Sequence, residues 1–467
     1  MQGTLIVLAL LAAYIGFIVW LVNTGRLQKW NLSLMLGVIL MVRTQRGKGL
    51  LDLLAKPRRF WNLFADLGTV VTLAGMALMT VVFAWSVWFS LQPDSGVQAL
   101  GASEILVIPG VNPFVPLWYG LIALIVTLVV HEGGHGVLAR ANDMRVKSLG
   151  LLIAVVPIGA FVEPDDEDIK LAPRRRRLRV FSAGPAVNLT FAVLALVGFS
   201  AMVGAATPAP GVHVANVVQG GPAAHAGLGP GSIITSFNGA PVPDWPTLGA
   251  QLNASRPGQQ VTLGLRDGTT HPVTLESRWS GYTEQQREAI VSADAYGVAE
   301  CHRRFGASGP VGGPCAEALQ RSAYLGFYQL TAEDTRFLSH PFTSGMVGFL
   351  SLVSLPIGEV RGQPILSTYL PAFTDAPWAP AVFWPLALVL FWIFWINLMV
   401  GLTNILPMLP LDGGHIFRDA VGSLVQRMRP SMESVRRERL VSWFAGAMSL
   451  LILGAFILQI IGPRLVG

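Results

Sequence analysis

Charge is scarce in this chain. Asp, Glu, Lys and Arg make up 13% of its 467 residues, against 52% hydrophobic, which excludes an ordinary soluble globular protein, where about 25% of residues are charged. Lysine is scarcer still: Lys29, Lys48, Lys56, Lys147 and Lys170 are the whole complement, with none beyond residue 170. A net charge of +6 would suit nucleic acid, but the basic residues cluster beside apolar stretches. Topology and anionic-lipid contact account for them there, and no nucleic-acid partner is expected. Cysteine is nearly absent, Cys301 and Cys315 being the two. That excludes a disulfide scaffold; the pair admits one disulfide or two unpaired thiols. With His302 as the nearby candidate ligand, a zinc site there is not expected. No basic residue precedes the first apolar stretch, and no small-residue cleavage pattern follows it before Arg26 to Lys29, so a retained anchor is expected rather than a signal peptide.

What the chain does have is long apolar runs. A bilayer-spanning helix takes about 20 predominantly apolar residues, and six stretches reach that length, near 4–22, 67–91, 115–138, 181–204, 381–405 and 442–461. Residues 32–42 are apolar but short, and an interfacial or packed helix is expected there. Short cytoplasmic loops carry the excess of Lys and Arg. All five lysines fall in 24–66 and 139–180, joined by Arg174 to Arg177 and by Arg427, Arg429, Arg436, Arg437 and Arg439, whereas 92–114 has no Lys or Arg. The cytoplasmic side is thereby assigned, and both termini are expected outside. The long segment 205–380, with nine Arg and no Lys, belongs to the exported side. The fold class expected is a polytopic α-helical membrane protein of about six transmembrane helices with a small β-rich insertion.

The expected organisation is an N-terminal pair of spans and extension (1–114), a first part of a membrane core (115–207), a β-rich module (208–277), an extracytoplasmic linker (278–380) and the second part of the core (381–467). Within the module, short β-type runs at Val212 to Val218, Ile233 to Phe237, Val261 to Leu265 and Pro272 to Leu275 are separated by Gly, Pro, Asn and Asp clusters, the pattern of a small β-domain. Helical spacing marks Ala316 to Tyr328. The apolar stretch 346–375, interrupted by Pro356, Pro364 and Pro371, is expected to lie at the membrane surface or re-enter.

Chemistry concentrates at His131-Glu-Gly-Gly-His135, at the end of the third apolar run. Residues four apart share a helix face, so both imidazoles reach one Zn²⁺ while Glu132 addresses its water. Ionisable groups deep in an apolar helix are functional by default; the alternative is a hydrogen-bonded pair of packing histidines. A catalytic zinc takes three protein ligands. Asn404-Ile-Leu-Pro-Met-Leu-Pro-Leu-Asp-Gly-Gly414 offers Asp412 at the inner end of the fifth run, with Pro407 and Pro410 interrupting the helix before it. Asp412 as a helix cap is the alternative. Both motifs fall near the inner ends of runs oriented alike, so they share a depth. Two rivals are His415, one turn beyond Asp412, and Glu163 with the acidic run Asp165 to Asp168; a solvated or interfacial loop for the acidic run and a supporting role for His415 are expected instead.

Together these residues resemble the site-2 protease family of intramembrane zinc metalloproteases: an HExxH, an LDG in a later span and an insertion between them, covering roughly 115–440. Gly220 to Gly239 looks like the core of a PDZ domain of the bacterial protease-associated type, with Ser232 where Asp is frequent. The fourth run carries Ala183-Gly-Pro-Ala-Val-Asn188, similar to a further family signature. The resemblance implies a zinc metalloendopeptidase holding one Zn²⁺ on His131, His135 and Asp412, with Glu132 as catalytic acid/base. It places Asn188 and Asn404 at positions that hold the substrate backbone or transition state; hydrogen bonding between helices is the alternative for each. The implied partners are a transmembrane protein substrate in the lipid bilayer and, at the PDZ-like module, a peptide or substrate ectodomain, with a size filter as the other reading. The competing class is a non-proteolytic metal-binding transporter or scaffold, whose polar residues also sit in broken helices; Glu132 argues against it, since permeation needs no water-activating base.

Overall fold

A computed structural model describes residues 2–30, 32–35, 37–92, 109–154, 156–360 and 365–466. Most of the connection 92–114, and Pro364, lie outside the described residues. By internal packing the chain divides into two units, residues 1–197 with 389–467, and residues 198–388.

Eight helices define the membrane part: α1 (Gln2–Asn23), α2 (Arg58–Ser90), α3 (Leu117–Ala141), α4 (Arg174–Phe181), α5 (Ala183–Ala205), α6 (Pro380–Asn404), α7 (Asp412–Met428) and α8 (Ser434–Val466). Five of them, α2, α3, α5, α6 and α8, are long and apolar enough to cross a membrane among the described residues. They coincide with five of the six expected runs. The sixth run forms α1, whose segment Ala12–Asn23 is apolar but short. Apolar side chains such as Leu63, Val70, Val81 and Trp85 on α2 are exposed, as helices facing hydrocarbon require.

The expected helix at 32–42 is overturned. Leu32–Met35 (β1) and Ile39–Thr44 (β2) form an antiparallel hairpin that joins Val146–Ala154 (β3) and Val156–Pro164 (β4) in a four-stranded sheet of order β1-β2-β3-β4. The apolar run carried no period to separate helix from strand, and pairing with the distant β3, from Leu40↔Ile153 to Thr44↔Leu149, decides it. Tyr14 ties α1 to this sheet, its hydroxyl lying 2.8 Å from the Val38 carbonyl and 2.6 Å from that of Ile153. A buried cluster including Leu51, Ala65, Leu138, Val146, Val180 and Ala183 packs α2, α3, β3, α4 and α5 together.

In the second unit, the β-type runs fold as strands. Val212–Val217 (β5), Ile233–Phe237 (β6), Gln260–Leu265 (β7) and Thr270–Thr274 (β8) pair in the order β8-β7-β6-β5, and Phe327–Gln329 (β9) adds to the free edge of β5. The module therefore extends beyond residue 277: Ala323 and Leu325 belong to its buried core with Val212, Ile234, Leu248 and Leu263. The expected helical spacing over Ala316 to Tyr328 holds as far as the helix Gly313–Arg321 and then fails, because the chain turns into strand contacts at Ala323–Tyr324 and β9. A second small core gathers around a disulfide between Cys301 and Cys315, with Ile290, Ala316 and Leu319. Beside it, Tyr282 donates to buried Glu300 at 2.5 Å; burial, reinforced by that carboxylate, pushes the phenol up to about 12. Pro356 sits inside the helix Gly345–Val360 rather than ending it, and Pro371 falls in the helix Leu370–Phe373.

Candidate metal centre

The site begins with helical periodicity. On α3, His131 and His135 are one turn apart, their ring centroids 4.9 Å from one another and their Nε2 atoms 3.3 Å apart. The third group arrives from a different element than expected. The span α6 ends at Asn404, a turn segment containing a cis Leu409–Pro410 bond follows, and Asp412 opens the separate helix α7. Asp412 makes no side-chain cap there. Two glycines permit the reversal: a Cβ on Gly413 would meet the Ile405 carbonyl oxygen at 2.3 Å, and one on Gly414 the Leu409 nitrogen at 2.6 Å. The broken segment folds back onto the first turn of α7 and directs the carboxylate at the histidines.

Asp412 Oδ2 lies 3.2 Å from His131 Nε2 and 3.3 Å from His135 Nε2. Three donor atoms thus form a nearly equilateral triangle. A tetrahedral ion bound at about 2.0–2.1 Å sets its ligand atoms about 3.3–3.4 Å apart, so the triangle matches one face of such a tetrahedron. Asp412 Oδ2 is buried and without a hydrogen-bond partner, although both imidazole Nε2 atoms stand within 3.3 Å of it; a cation among the three atoms would satisfy it. Among the described residues this is the group of three or more His, Cys, Asp or Glu side chains placed to hold a metal. The space is kept open by α5, where a Cβ on Gly184 would lie 2.4 Å from His131 Cε1 and 2.5 Å from both Nε2 atoms. The residues present fit a zinc ion.

Hydrogen bonds from neighbouring elements orient the side chains of this group. His135 Nδ1 lies 2.8 Å from the Val180 carbonyl at the end of α4; donation to it fixes the tautomer that leaves Nε2 free for a metal. His131 Nδ1 lies 3.0 Å from the side-chain amide of fully buried Asn188, whose Oδ1 is without a partner. A half-turn of that amide satisfies both groups, Oδ1 accepting from Nδ1–H. Glu132 Oε2 accepts from the Val162 backbone N–H of β4 at 2.9 Å. Asn404 is half-buried at the end of α6 and makes no side-chain hydrogen bond among the described residues. His415 stacks on Phe181, centroids 4.9 Å apart, and stands outside the ligand group. Glu163 accepts from Ser148 at 2.5 Å. The acidic run is a short helix rather than the expected solvated or interfacial loop: Asp165 caps Asp166–Leu171 through Glu167 N–H, and Asp168 takes a bidentate grip from Arg145 at 3.0 Å. Neither rival reaches the centre.

The profile of peptidase family M50 matches residues 119–453, more than half of the chain. The chain belongs to peptidase family M50. Zinc metalloprotease Rip1 of Mycobacterium bovis is 26% identical over 370 residues, 68% of this chain and 86% of that protein. An uncharacterized protein of Methanocaldococcus jannaschii is 29% identical over 183 residues, 38% of this chain. The chain spans 47% of that archaeal relative's length. The regulator of sigma-E protease RseP of Salmonella typhimurium is 30% identical over 176 residues, 31% of this chain and 38% of that protein. As an M50 member the chain is a zinc metallopeptidase, and the matched residues contain His131, Glu132, His135, Asn188, Asn404 and Asp412. Sequence reasoning missed the backbone groups of Val180 and Val162, which carry no residue-type signal, and gave no role to Gly184, although it lay inside the quoted Ala183 to Asn188 motif.

Proposed function

We propose that this M50 chain hydrolyses peptide bonds of transmembrane substrate helices inside or at the edge of the bilayer, with His131, His135 and Asp412 as the zinc ligands and Glu132 as the acid/base. The observation that carries the reading is the triangle of donor atoms at 3.2–3.3 Å with an orphaned Asp412 oxygen at its apex, brought together from α3 and α7. Zinc, when bound, supplies Lewis-acid polarisation of a carbonyl and acidifies water. Glu132, held at Oε2 by the Val162 amide, takes a proton from the attacking water and delivers it to the leaving nitrogen. Asn188 orients His131 rather than the substrate, its amide facing Nδ1 at 3.0 Å. Asn404 faces the substrate backbone. A helical substrate must unwind first, because its carbonyls are hydrogen-bonded and shielded, so Gly, Pro or Asn near the cleaved bond favours cleavage.

In the same reading α1 is a sixth, retained span and both termini are extracytoplasmic, with the ligand group toward the cytoplasmic side, as the distribution of Lys and Arg supports. The sheet β5 to β9 is a PDZ-like module on the exported side, acting as a substrate gate or peptide receptor. The Cys301–Cys315 disulfide supports that placement, since such bonds persist in oxidising compartments. The test is cleavage of a purified single-span substrate in detergent by the full chain. Activity is expected to vanish with a chelator, to return with Zn²⁺, and to be lost in Asp412→Asn together with most of the bound metal. Chelator-resistant cleavage, or Asp412→Asn protein with a full complement of zinc, contradicts the assignment.

A further inference from the structure

We propose that the cleft lined by the helix Asp166–Leu171, α4, α7 and the start of α8 binds a phosphate-bearing anion, a phospholipid headgroup or free phosphate. The cleft measures about 650 Å³, within the range of small-ligand sites, and lies wholly in the first unit. Five cations line it against three acids. Two of the cations are matched: Arg177 grips Asp419 with two hydrogen bonds of 3.0 and 3.2 Å, and Arg418 pairs with Glu438. The third acid, Asp166, stands in the first turn of its own helix, where the helix end already favours it.

Lys170, Arg174 and Arg437 are left with no ion pair among the described residues. They come from three different helices, separated by more than 260 positions between the first two and the last, and converge on one concave surface. A solvated basic loop requires no such convergence. Ser423 Oγ accepts from Arg174 at 2.8 Å, which holds that guanidinium on the cleft wall. Two guanidinium forks and one ammonium suit a phosphate, which takes several charge-assisted hydrogen bonds at once. Ile169, Phe181 and Val441 supply an apolar floor, and basic pockets between membrane helices accept phospholipid headgroups on general grounds. His415, stacked on Phe181, also lines the cleft, and with Arg418, Asp419 and Ser423 it makes α7, the helix that opens with Asp412, one wall of the site.

The test uses the full chain in nanodiscs with two probes, inorganic phosphate titrated into phosphatidylcholine discs, and phosphatidylglycerol retained from mixed discs and counted by native mass spectrometry. The triple variant Lys170→Gln, Arg174→Gln, Arg437→Gln is compared with Lys29→Gln, Lys48→Gln, Lys56→Gln, which removes the same charge elsewhere. The cleft variant is expected to weaken binding on the order of a hundredfold, and the control to leave it within a factor of about two. Arg437→Gln alone, expected to cost about fivefold, stands in if the triple variant does not fold. Saturable phosphate binding identifies the free anion, and phosphatidylglycerol retention that phosphate does not displace identifies the headgroup. Absence of binding to either probe, or equal losses in cleft and control variants, overturns the proposal. Zinc content and peptide cleavage do not enter the readout, so its failure is distinguishable from failure of the proteolytic reading.

Discussion

Asn188 and Gly184 stand on one helix and shape the metal centre in different ways. Asn188 has a buried amide whose useful partner is His131 Nδ1. Groups that hydrogen-bond a ligating histidine typically contribute 10–100-fold to metal affinity. Asn188→Ala is therefore expected to bind zinc about 10- to 100-fold more weakly, measured by competition with a chromophoric chelator, while Asn188→Asp retains an acceptor and most of the affinity. A residue that touched only substrate would raise KM with zinc affinity unchanged, and that result would remove Asn188 from the centre. Gly184 contributes by having no side chain. A methyl at 2.4–2.5 Å from three imidazole atoms displaces both histidines, so Gly184→Ala is expected to lose its zinc while circular dichroism shows an unchanged helix content.

At the scale of elements, α4 is a clamp. Its arginines reach in different directions: Arg175 and Arg179 both grip Asp66 of α2, at 2.6 and 2.7 Å, and Arg177 grips Asp419 of α7. The end of the same helix presents the Val180 carbonyl to His135. Removing one anchor should loosen the ligand from a distance. Asp66→Asn is expected to destabilise the clamp by about 1–3 kcal/mol, seen as faster hydrogen exchange over 174–181 and weaker zinc binding; unchanged exchange and affinity would show that α4 needs no anchor. Five of the apolar helices and the grouping of His131 with His135 were legible in the sequence because apolar length and the four-residue spacing are local signals; Asp412, 277 positions beyond His135, was legible through its place at the end of a later apolar run and the resemblance its motif carries. The clamp was not: the Arg174 to Arg177 run marked a membrane side, and nothing local to it named Asp66 or Asp419 as partners. Leu32 to Val42 misled for the same reason, since β-pairing with residues more than 100 positions away overrides a short apolar run. The Cys301–Cys315 pair closes a loop with a sequence separation of 14, for which chain-entropy arguments give about 3 kcal/mol. Cys301→Ser is accordingly expected to sensitise residues 284–321 to limited proteolysis under non-reducing conditions.

For the whole molecule, the metal group belongs to the first unit and the sheet β5 to β9 to the second, so each can be perturbed separately. In the second, His213 stacks on Phe373 and its imidazole is pushed below the usual value of 6.5, mainly by burial. The neutral ring is the folded form. Its stabilising effect is complete above about pH 6.5 and is lost as pH falls below that value. Hydrogen exchange in β5 and β6, corrected for its intrinsic pH dependence, is expected to accelerate between pH 7 and pH 5, and His213→Phe to flatten the response. The catalytic assignment joins the two histidines of α3, the carboxylate of α7 and the Glu132 side chain held on β4, and one comparison bears on it most directly: zinc content and single-span substrate cleavage in purified Glu132→Gln. Retained zinc with cleavage abolished is expected, and cleavage at the wild-type rate would rule out Glu132 as the acid/base.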